Sequence, residues 1–219
     1  MYSKTEEDYL KAIYHFTGQE DEKVGTSTLA DHLSNKPASV TDMLRKLSEK
    51  NLIHYKKSHG VTLTEKGKRV VLQVVRKHRI WEVFLVEKLK FGWEEVHEIA
   101  DQLEHVHSEL LINKLDDFLG NPEFDPHGDP IPSKDGILPE AITLPLSEIS
   151  AGQSITFVSV ASDQAALLQY LDKIRLRIGD TLQVLEKEVF DGSVKLKIRD
   201  EEVQVSHKVA EHVLVKQLK

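Results

Sequence analysis

The chain has 219 residues, of which 40% are hydrophobic and 30% are charged, and its formal net charge at pH 7 is -7. This composition is globular and the length suffices for two ordinary domains, so a disordered chain is not expected. The absence of cysteine excludes disulfides, thiolate nucleophiles and iron–sulfur clusters, which leaves histidine, carboxylate, amide and backbone groups as possible metal ligands.

The N-terminal half predicts a winged helix-turn-helix. A first helix is expected over Thr5 to Phe16, because apolar residues recur there at three- and four-residue steps. Two shorter helices, Ser27 to Leu33 and Ala38 to Lys50, flank a tight turn. Leu52 to Lys57 and Val61 to Leu63 alternate like two strands of a hairpin, which forms the wing.

The middle of the chain predicts a helical dimerisation layer. Thr64 is placed to cap a long apolar helix that continues to about Leu89. The stretch HEIADQLEHVHSEL, from His97 to Leu110, is expected to be helical, and a further amphipathic helix follows to Leu119. Asn121 to Pro139 contains five of the seven prolines and is expected to be an ordered loop or a linker.

The C-terminal part predicts a small β-barrel. A helix over Asp163 to Ile174 interrupts a series of short alternating runs. The expected strands are Ile142 to Ile149, Ser154 to Val160, Leu182 to Val189, Val194 to Ile198 and Val203 to Val205. The predicted domains are 1–72 (winged helix-turn-helix), 73–139 (helical, metal-binding and dimerisation, with the Pro-rich linker) and 140–219 (barrel).

Charge is distributed unevenly. From Lys36 to Arg69 there are nine Lys/Arg against three Asp/Glu, whereas Glu94 to Glu140 holds thirteen Asp/Glu against two Lys. The first region suits phosphate and the second suits cations. No apolar run approaches about 18 residues, and the N-terminus lacks a signal-peptide pattern, so we expect a cytoplasmic protein with no membrane partner.

The basic region contains the expected DNA-binding residues. The first part of the second short helix is the part that reaches base edges in a helix-turn-helix. Its candidate residues are Lys36, Pro37, Ala38, Ser39, Thr41, Asp42, Arg45 and Lys46. Lys56, Lys57 and His59 of the wing are expected to hold the flanking phosphates of double-stranded DNA. The alternative is a winged helix used for protein contacts.

A second face of HEIADQLEHVHSEL carries imidazoles and carboxylates in adjoining turns. Taken alone, it favours a solvated acidic face, because charged residues at helical spacing usually form one and a metal site needs ligands from several elements. His78 and Glu82, four residues apart, and Asp8 on the first helix are candidates. Each also has an ordinary interpretation, as a helix-surface base, an ion-pair partner and an acid that compensates the helix dipole.

The order of motifs TEEDYLKAIY, LADHLSNKPASVTDMLRKL, GVTLTEKGKRV, RKHRIWEVFL, VHEIADQLEHVHSEL, FDPHGDPIP and ASDQAALLQYLDKIRLRIGD resembles the DtxR/MntR family of metal-dependent transcriptional repressors. The resemblance covers essentially the whole chain and is to the long members, in which the C-terminal barrel is an SH3-like domain. It implies a homodimer that represses metal-homeostasis genes by binding palindromic operators when metal is bound.

The resemblance also implies metal ligands. A primary site would use Asp8, His78, Asp101, Glu104 and His105. In iron-type members the positions that match Asp8 and Asp101 are sulfur ligands, and hard oxygen donors suit Mn²⁺ better, so we expect Mn²⁺ with Fe²⁺ as the alternative. The short manganese-type members have a glutamate where this chain has Lys11, and a protonated ammonium is not a metal ligand.

An ancillary site is implied as well, and it draws on helix, loop and barrel positions. These positions are His78, Glu82, His97, Asp125, His127, Asp163 and Gln164. The acidic member of one iron-type ligand pair is Ala161 here, which weakens the correspondence at Gln164. For FDPHGDPIP the alternative is a rigid spacer.

Two other function classes stay open from the residues alone. A metal-independent winged-helix regulator that senses a small molecule would require an apolar pocket between helices. A metallohydrolase would require an open coordination position, a base and a substrate cleft. The sequence contains no nucleophile motif or phosphate cradle, so we expect neither an enzyme nor a small-molecule substrate.

Overall fold

The structure is a computed structural model that describes residues 2–17, 23–56, 59–139 and 143–217. Two predicted residues, Lys57 of the wing and Ile142 at the start of a strand, lie outside the described residues. The chain divides into two compact units. The first comprises Met1–His78, Asp101–Lys114 and Pro132–Ile137, and the second comprises Arg79–Ala100, Leu115–Ile131 and Leu138–Lys219.

The first unit contains the winged helix-turn-helix, as predicted. Its elements are α1 (Lys4–Thr17), α2 (Thr26–His32), α3 (Pro37–Glu49), β1 (Ile53–Tyr55) and β2 (Val61–Leu63). The two strands pair antiparallel, with Ile53 opposite Leu63. The predicted apolar faces meet in one core, in which Leu10, Ile13, Leu29, Leu44 and Leu47 are completely buried. Burial of these helix faces, rather than helix propensity, therefore stabilises the module.

The long helix α4 (Glu65–Glu87) begins where its cap predicts. The backbone N–H of Gly67 donates to Thr64 Oγ1 at 3.0 Å, which satisfies one of the free donors of the first turn. Packing explains why position 67 is a glycine, because a Cβ at this position would lie 2.0 Å from the carbonyl oxygen of Leu52. The wing and the start of α4 consequently pack backbone to backbone.

The prediction of one helix through HEIADQLEHVHSEL is wrong. Helix α5 (Val96–Leu103) ends before Glu104, and α6 (Glu109–Phe118) begins after a short non-helical segment. The N–H of Val106 donates to the carbonyl of Leu103 at 3.1 Å, and Ser108 Oγ accepts the N–H of Leu111 at 3.3 Å. Ser108 therefore caps a new helix, and the apolar periodicity continued across a break.

The C-terminal part of the second unit forms a six-stranded antiparallel sheet, consistent with the predicted SH3-like domain. The strands are β3 (Leu144–Pro145), β4 (Ser154–Val160), β5 (Thr181–Lys187), β6 (Val194–Ile198), β7 (Glu201–Val205) and β8 (Val213–Gln217), in the order β3-β8-β4-β5-β6-β7. Helix α7 (Ala165–Lys173) was predicted. One completely buried core contains Phe157, Leu168 and Leu196.

Three details of this domain differ from the prediction. The first strand is only two residues long, because a 3-10 turn (Leu146–Glu148) follows it. Helix α8 (His207–His212), capped by Ser206, and strand β8 were missed. Strand β5 ends before Val189, which with Phe190 is almost fully exposed in the following turn. Among the described residues, no helix is both long and apolar enough to cross a bilayer.

Candidate metal centres

The first group of candidate ligands joins α1 to the turn that follows α5, and we name it the helix cluster. Its centre consists of Asp8, Glu104 and His105, whose ligand atoms all lie within 4.8 Å of one another. His105 Nε2 is 3.1 Å from Asp8 Oδ1 and 3.7 Å from Glu104 Oε1. Because α5 ends at Leu103, Glu104 and His105 both turn toward α1.

Glu7 orients the imidazole of this cluster. His105 Nδ1 donates to Glu7 Oε2 at 2.7 Å, which leaves Nε2 directed at Asp8 and Glu104. A carboxylate that holds the outer nitrogen of a histidine fixes the tautomer needed for a metal ligand. Sequence reasoning missed Glu7, which is only 4% exposed although it looks like one of several acids in a first helical turn. Burial raises the pKa of Asp8, and the nearby His105 opposes the increase.

The other primary-site residues of the sequence prediction, His78 and Asp101, adjoin the helix cluster around Lys11. The ammonium of Lys11 donates to Asp101 Oδ1 at 2.6 Å and to Glu104 Oε2 at 2.7 Å. His78 Nδ1 donates to Glu104 Oε2 at 2.6 Å. Burial alone would lower the pKa of Lys11, but the charges of Glu104 and Asp101 outweigh it and raise the pKa.

The second group lies within the other compact unit, and we name it the loop cluster. Its centre consists of Glu82 on α4 with Asp125 and His127 on the Pro-rich loop, again with ligand atoms within 4.8 Å of one another. All three are buried. His97 on α5 lies between this centre and Asp163. Its Nδ1 is 3.5 Å from Glu82 Oε1, and its Nε2 is 3.3 Å from Asp163 Oδ2.

The loop folds around Asp125. Its Oδ1 accepts the backbone N–H groups of His127 at 2.8 Å and Asp129 at 2.9 Å, which closes a tight turn. Arg79 on α4 donates to Asp129 Oδ2 at 3.1 Å and to the carbonyl of Pro130 at 2.6 Å. Gly128 has φ +84°, and a Cβ there would lie 1.9 Å from the carbonyl oxygen of Val158. The loop is therefore tied to both α4 and the sheet.

The loop cluster has excess negative charge. Burial raises the pKa of Asp125 to about 7, and the charge of Glu82 adds to the increase. Burial alone would lower the pKa of His127, but its ion pair with Glu82 and the nearby Asp125 carboxylate raise it to about 9. His127 Nε2 donates to the carbonyl of Trp93 at 2.8 Å, so that Nδ1 faces Glu82 at 3.8 Å. The raised pKa keeps His127 protonated at neutral pH, so its positive charge offsets part of the negative charge of Glu82 and Asp125.

The donors of both clusters fit a divalent first-row metal. Each centre combines two carboxylates with one imidazole whose outer nitrogen is already hydrogen-bonded. Such oxygen and nitrogen donors suit Mn²⁺ and Fe²⁺, and no sulfur is present. Gln164, the remaining metal candidate, is the exposed N-cap residue of α7.

The DNA-binding candidates form an exposed surface on α3 and the wing. The exposed residues are Lys36, Pro37, Ala38, Ser39, Asp42, Arg45, Lys46, Lys56 and His59. Thr41 is half-buried, and its hydroxyl donates back to the carbonyl of Pro37 at 2.9 Å. The N-terminal turn of α3 is thus open to a partner, as reading a DNA groove requires.

Comparison with known proteins identifies the family. Over 163 residues the chain is 34% identical to the iron-dependent repressor IdeR of Mycobacterium tuberculosis, and the match spans 70% of each protein. The chain belongs to the iron-dependent repressor family. It also matches three models that describe the parts of such repressors: an iron dependent repressor N-terminal DNA binding domain at residues 1–61, a metal binding and dimerisation domain at 64–133, and an FeoA domain at 144–217.

The chain is also similar to a further relative and to two solved structures. The chain is 36% identical over 117 residues to an uncharacterized HTH-type transcriptional regulator of Methanocaldococcus jannaschii, a match that covers 53% of this chain and 94% of that protein. A manganese-dependent transcriptional repressor in complex with manganese superposes with a TM-score of 0.87 at 33% identity, covering 97% of this chain and 100% of that one. The crystal structure of ScaR with bound Zn²⁺ superposes with a TM-score of 0.79 at 33% identity, covering 97% of this chain and 99% of that one.

The chain is therefore a metal-dependent transcriptional repressor, and the resemblance inferred from its motifs is confirmed. The family is one of transcriptional repressors, which is not an enzyme class.

Proposed function

We propose that this repressor is a homodimer that Mn²⁺, with Fe²⁺ as the alternative, activates for binding palindromic operators of metal-homeostasis genes. The observation that carries the proposal is the helix cluster, because its ligands come both from α1, the first helix of the DNA-binding module, and from the turn after α5. Ordering these ligands orders α1. Of the predicted domains, 1–72 would bind DNA, 73–139 would bind metal and form the dimer, and 140–219 would support that arrangement.

The choice of Mn²⁺ rests on donor chemistry. Asp8, Glu104 and Asp125 offer carboxylate oxygens, and the described residues around both clusters offer no sulfur. Hard oxygen donors suit Mn²⁺, although intrinsic affinity at such a site favours Fe²⁺, so cellular availability also decides. A manganese-dependent repressor that was solved with manganese shares this fold at 33% identity, which supports the assignment.

The metal would act by differential affinity. When bound, a divalent cation supplies the positive charge that offsets repulsion among the carboxylates of the helix cluster. Asp8 then holds α1 beside Glu104 and His105, while Glu7 holds the His105 ring in place. Such coupling between a ligand and DNA affinity is typically about 5- to 150-fold. It cannot exceed the difference in metal affinity between the DNA-competent and loose arrangements.

The homodimer is supported by apolar residues on α6. Leu110, Leu111 and Phe118 are exposed on this ten-residue helix. A dimer would place two copies of α3 against two half-sites near one helical turn apart, or a multiple of it. Analytical ultracentrifugation with and without Mn²⁺ tests the dimer, and a monomer under both conditions would contradict it.

The direct test is operator binding by the full chain with Mn²⁺, with Fe²⁺ under anaerobic conditions and with a chelator. We expect tight binding only with metal. Equal affinity with chelator would refute the metal switch and favour the small-molecule alternative. One observation bears on that alternative, a cavity of about 320 Å³ lined partly by Val83, Trp93 and Phe124, which is at the small end of ligand pockets.

A further inference from the structure

The Lys11 ammonium lies where a cation would be expected, among groups that otherwise resemble a metal site. It is 2.6 Å from Asp101 Oδ1, 2.7 Å from Glu104 Oε2 and 3.2 Å from His78 Nδ1. An exposed ion pair contributes little, and the Asp101 side chain is 47% exposed, but that of Glu104 is only 2% exposed and that of Lys11 26%. The contact between Lys11 and Glu104 is therefore part of the buried centre rather than a surface pair.

Glu104 divides the centre into two positions for positive charge. Its Oε2 faces Lys11 and His78, while its Oε1 faces His105 Nε2 at 3.7 Å. The second position is completed by Asp8, which is 3.1 Å from the same imidazole nitrogen. One carboxylate is thus shared between an ammonium on one side and an open set of ligands on the other.

We propose that Lys11 is a built-in cation that permanently fills one of these two positions, so that the helix cluster takes a single divalent ion held by Asp8, Glu104 and His105. The inference rests on the proposed function, because it assumes that this cluster binds metal. An ammonium has three donors and no acceptor, so it satisfies Asp101 and Glu104 while it cannot itself ligate. A second divalent ion beside it would meet both steric exclusion and charge repulsion.

The charges around the two positions agree with this assignment. Asp8, Asp101 and Glu104 together carry three negative charges when ionised. Lys11 and one divalent ion together carry three positive charges. The buried Glu7 carboxylate adds one negative charge, which the Lys77 ammonium 3.8 Å away offsets, so the pair of positions is neutral with a single metal. Two divalent ions in addition to Lys11 would leave an excess of positive charge in a half-buried site, which is unfavourable.

Lys11 also provides a link that does not depend on metal. It connects α1 to Asp101 on α5 and to Glu104 in the turn that follows. Part of the attachment of α1 is consequently always present, and metal adds the part through Asp8 and His105. A variant without this ammonium loses the permanent link but gains an acceptor set for a second ion.

The test is a Mn²⁺ titration of the full chain, with elemental analysis and low-temperature electron paramagnetic resonance. We expect spectra of isolated Mn²⁺ for the wild-type protein. Lys11→Glu removes the ammonium and adds a carboxylate, so it should take up one further Mn²⁺ per chain and show an exchange-coupled signal, because Glu104 would bridge both ions. Ions in the loop cluster contribute equally to both proteins and cancel in the comparison.

Two further variants keep the test decisive. Lys11→Gln removes the charge without adding a ligand, and it should bind the further Mn²⁺ more weakly than Lys11→Glu does. Lys208→Glu makes the same charge change at an exposed position of α8, outside the helix cluster, and should leave both the count and the spectrum unchanged. Circular dichroism of each variant confirms that it folds.

The outcomes separate the inference from the proposed function. An exchange-coupled pair already present in the wild-type protein, or no extra Mn²⁺ in either folded Lys11 variant, would overturn the role of Lys11 and leave metal activation standing. If Glu104→Gln changed neither the Mn²⁺ count nor the spectrum of the wild-type protein, the cluster would not bind metal, and both proposals would fail.

Discussion

The helix cluster and the loop cluster use the same residue types but differ in what they connect. The helix cluster includes Asp8 on the first helix of the DNA-binding module, and this carboxylate is partly exposed. The loop cluster lies within one compact unit, and its three central residues are buried around a turn that backbone hydrogen bonds close. We therefore expect different roles for the two donor sets, because only the helix cluster has a ligand on the first helix of the DNA-binding module.

The largest effect is expected from Glu104→Gln. Glu104 is shared by Lys11, His78 and the Asp8–His105 position, so its loss removes a ligand and leaves Lys11 with less compensation. We expect the metal-dependent gain in operator affinity, about 5- to 150-fold in systems of this kind, to disappear. Glu109→Gln, at an exposed position of α6, is the matched control for a lost acidic charge. An unchanged gain would contradict the assignment of the helix cluster.

A smaller effect is expected from Glu7→Gln, because Glu7 positions His105 without facing the metal position itself. Loss of such an outer partner typically costs about 10- to 100-fold in metal affinity. Isothermal titration with Mn²⁺ measures the change, and Glu7→Asp should recover part of it. Glu6→Gln is the control, since Glu6 is buried on the same helix and pairs with Lys50 at 2.5 Å. Equal losses in Glu6→Gln and Glu7→Gln would indicate a merely structural role.

Weakening the loop cluster should affect operator binding less. Glu82→Gln removes a central acceptor of this cluster, and we expect operator affinity to weaken by about 0.5 to 2 kcal/mol. Trp93 stacks on His127, with ring centroids 5.9 Å apart and an angle of 12°, so its fluorescence should report metal binding there. The Mn²⁺-dependent change should be lost in Glu82→Gln and kept in Glu87→Gln, an exposed acid on the same helix. A loss of operator binding as large as that of Glu104→Gln would remove the distinction between the clusters.

The smallest effect on operator binding is expected from Gly128→Ala, which tests how the loop is held. Gly128 and Gly120 have nearly the same positive φ, +84° and +83°, but a Cβ at Gly120 meets nothing within 4 Å. Gly120→Ala should therefore cost only the conformational strain, about 1 to 2 kcal/mol. Gly128→Ala should cost more and should lower Mn²⁺ binding at the loop cluster, because its Cβ meets the backbone of Val158. Denaturant unfolding and the Trp93 signal measure both effects, and equal losses of stability would contradict the role of the close approach.

The winged helix-turn-helix was largely predictable because local signals agree with its tertiary packing. The apolar periods of α1 and α3, the Thr64 cap and the alternation of β2 all predicted the observed elements to within two residues. Local signals failed where short elements depend on distant partners. Strand β8 forms between β3 and β4, which precede it by more than fifty residues, and α8 is too short for a periodic signal.

The helix from His97 to Leu110 shows the limit most clearly. Its apolar residues keep a helical period through Val106 and Leu110, so periodicity favoured one continuous helix. The available counter-signal was Ser108, a good N-cap placed immediately before a second amphipathic run. The break bears on the proposed metal site, because it places Glu104 and His105 in a turn outside α5, where His105 faces Asp8 of α1.

The sequence by itself determined the classes of donor, the basic and acidic regions and the order of motifs that implies a metal-dependent repressor. Only the tertiary structure decided how the donors are grouped. Glu7 and Lys11 look like ordinary charges of a first helix until packing brings them to His105 and Glu104. The physical reason is that a cation site depends on charges converging within a few ångströms in a partly desolvated place, and residues 90 or more positions apart acquire that proximity only through packing.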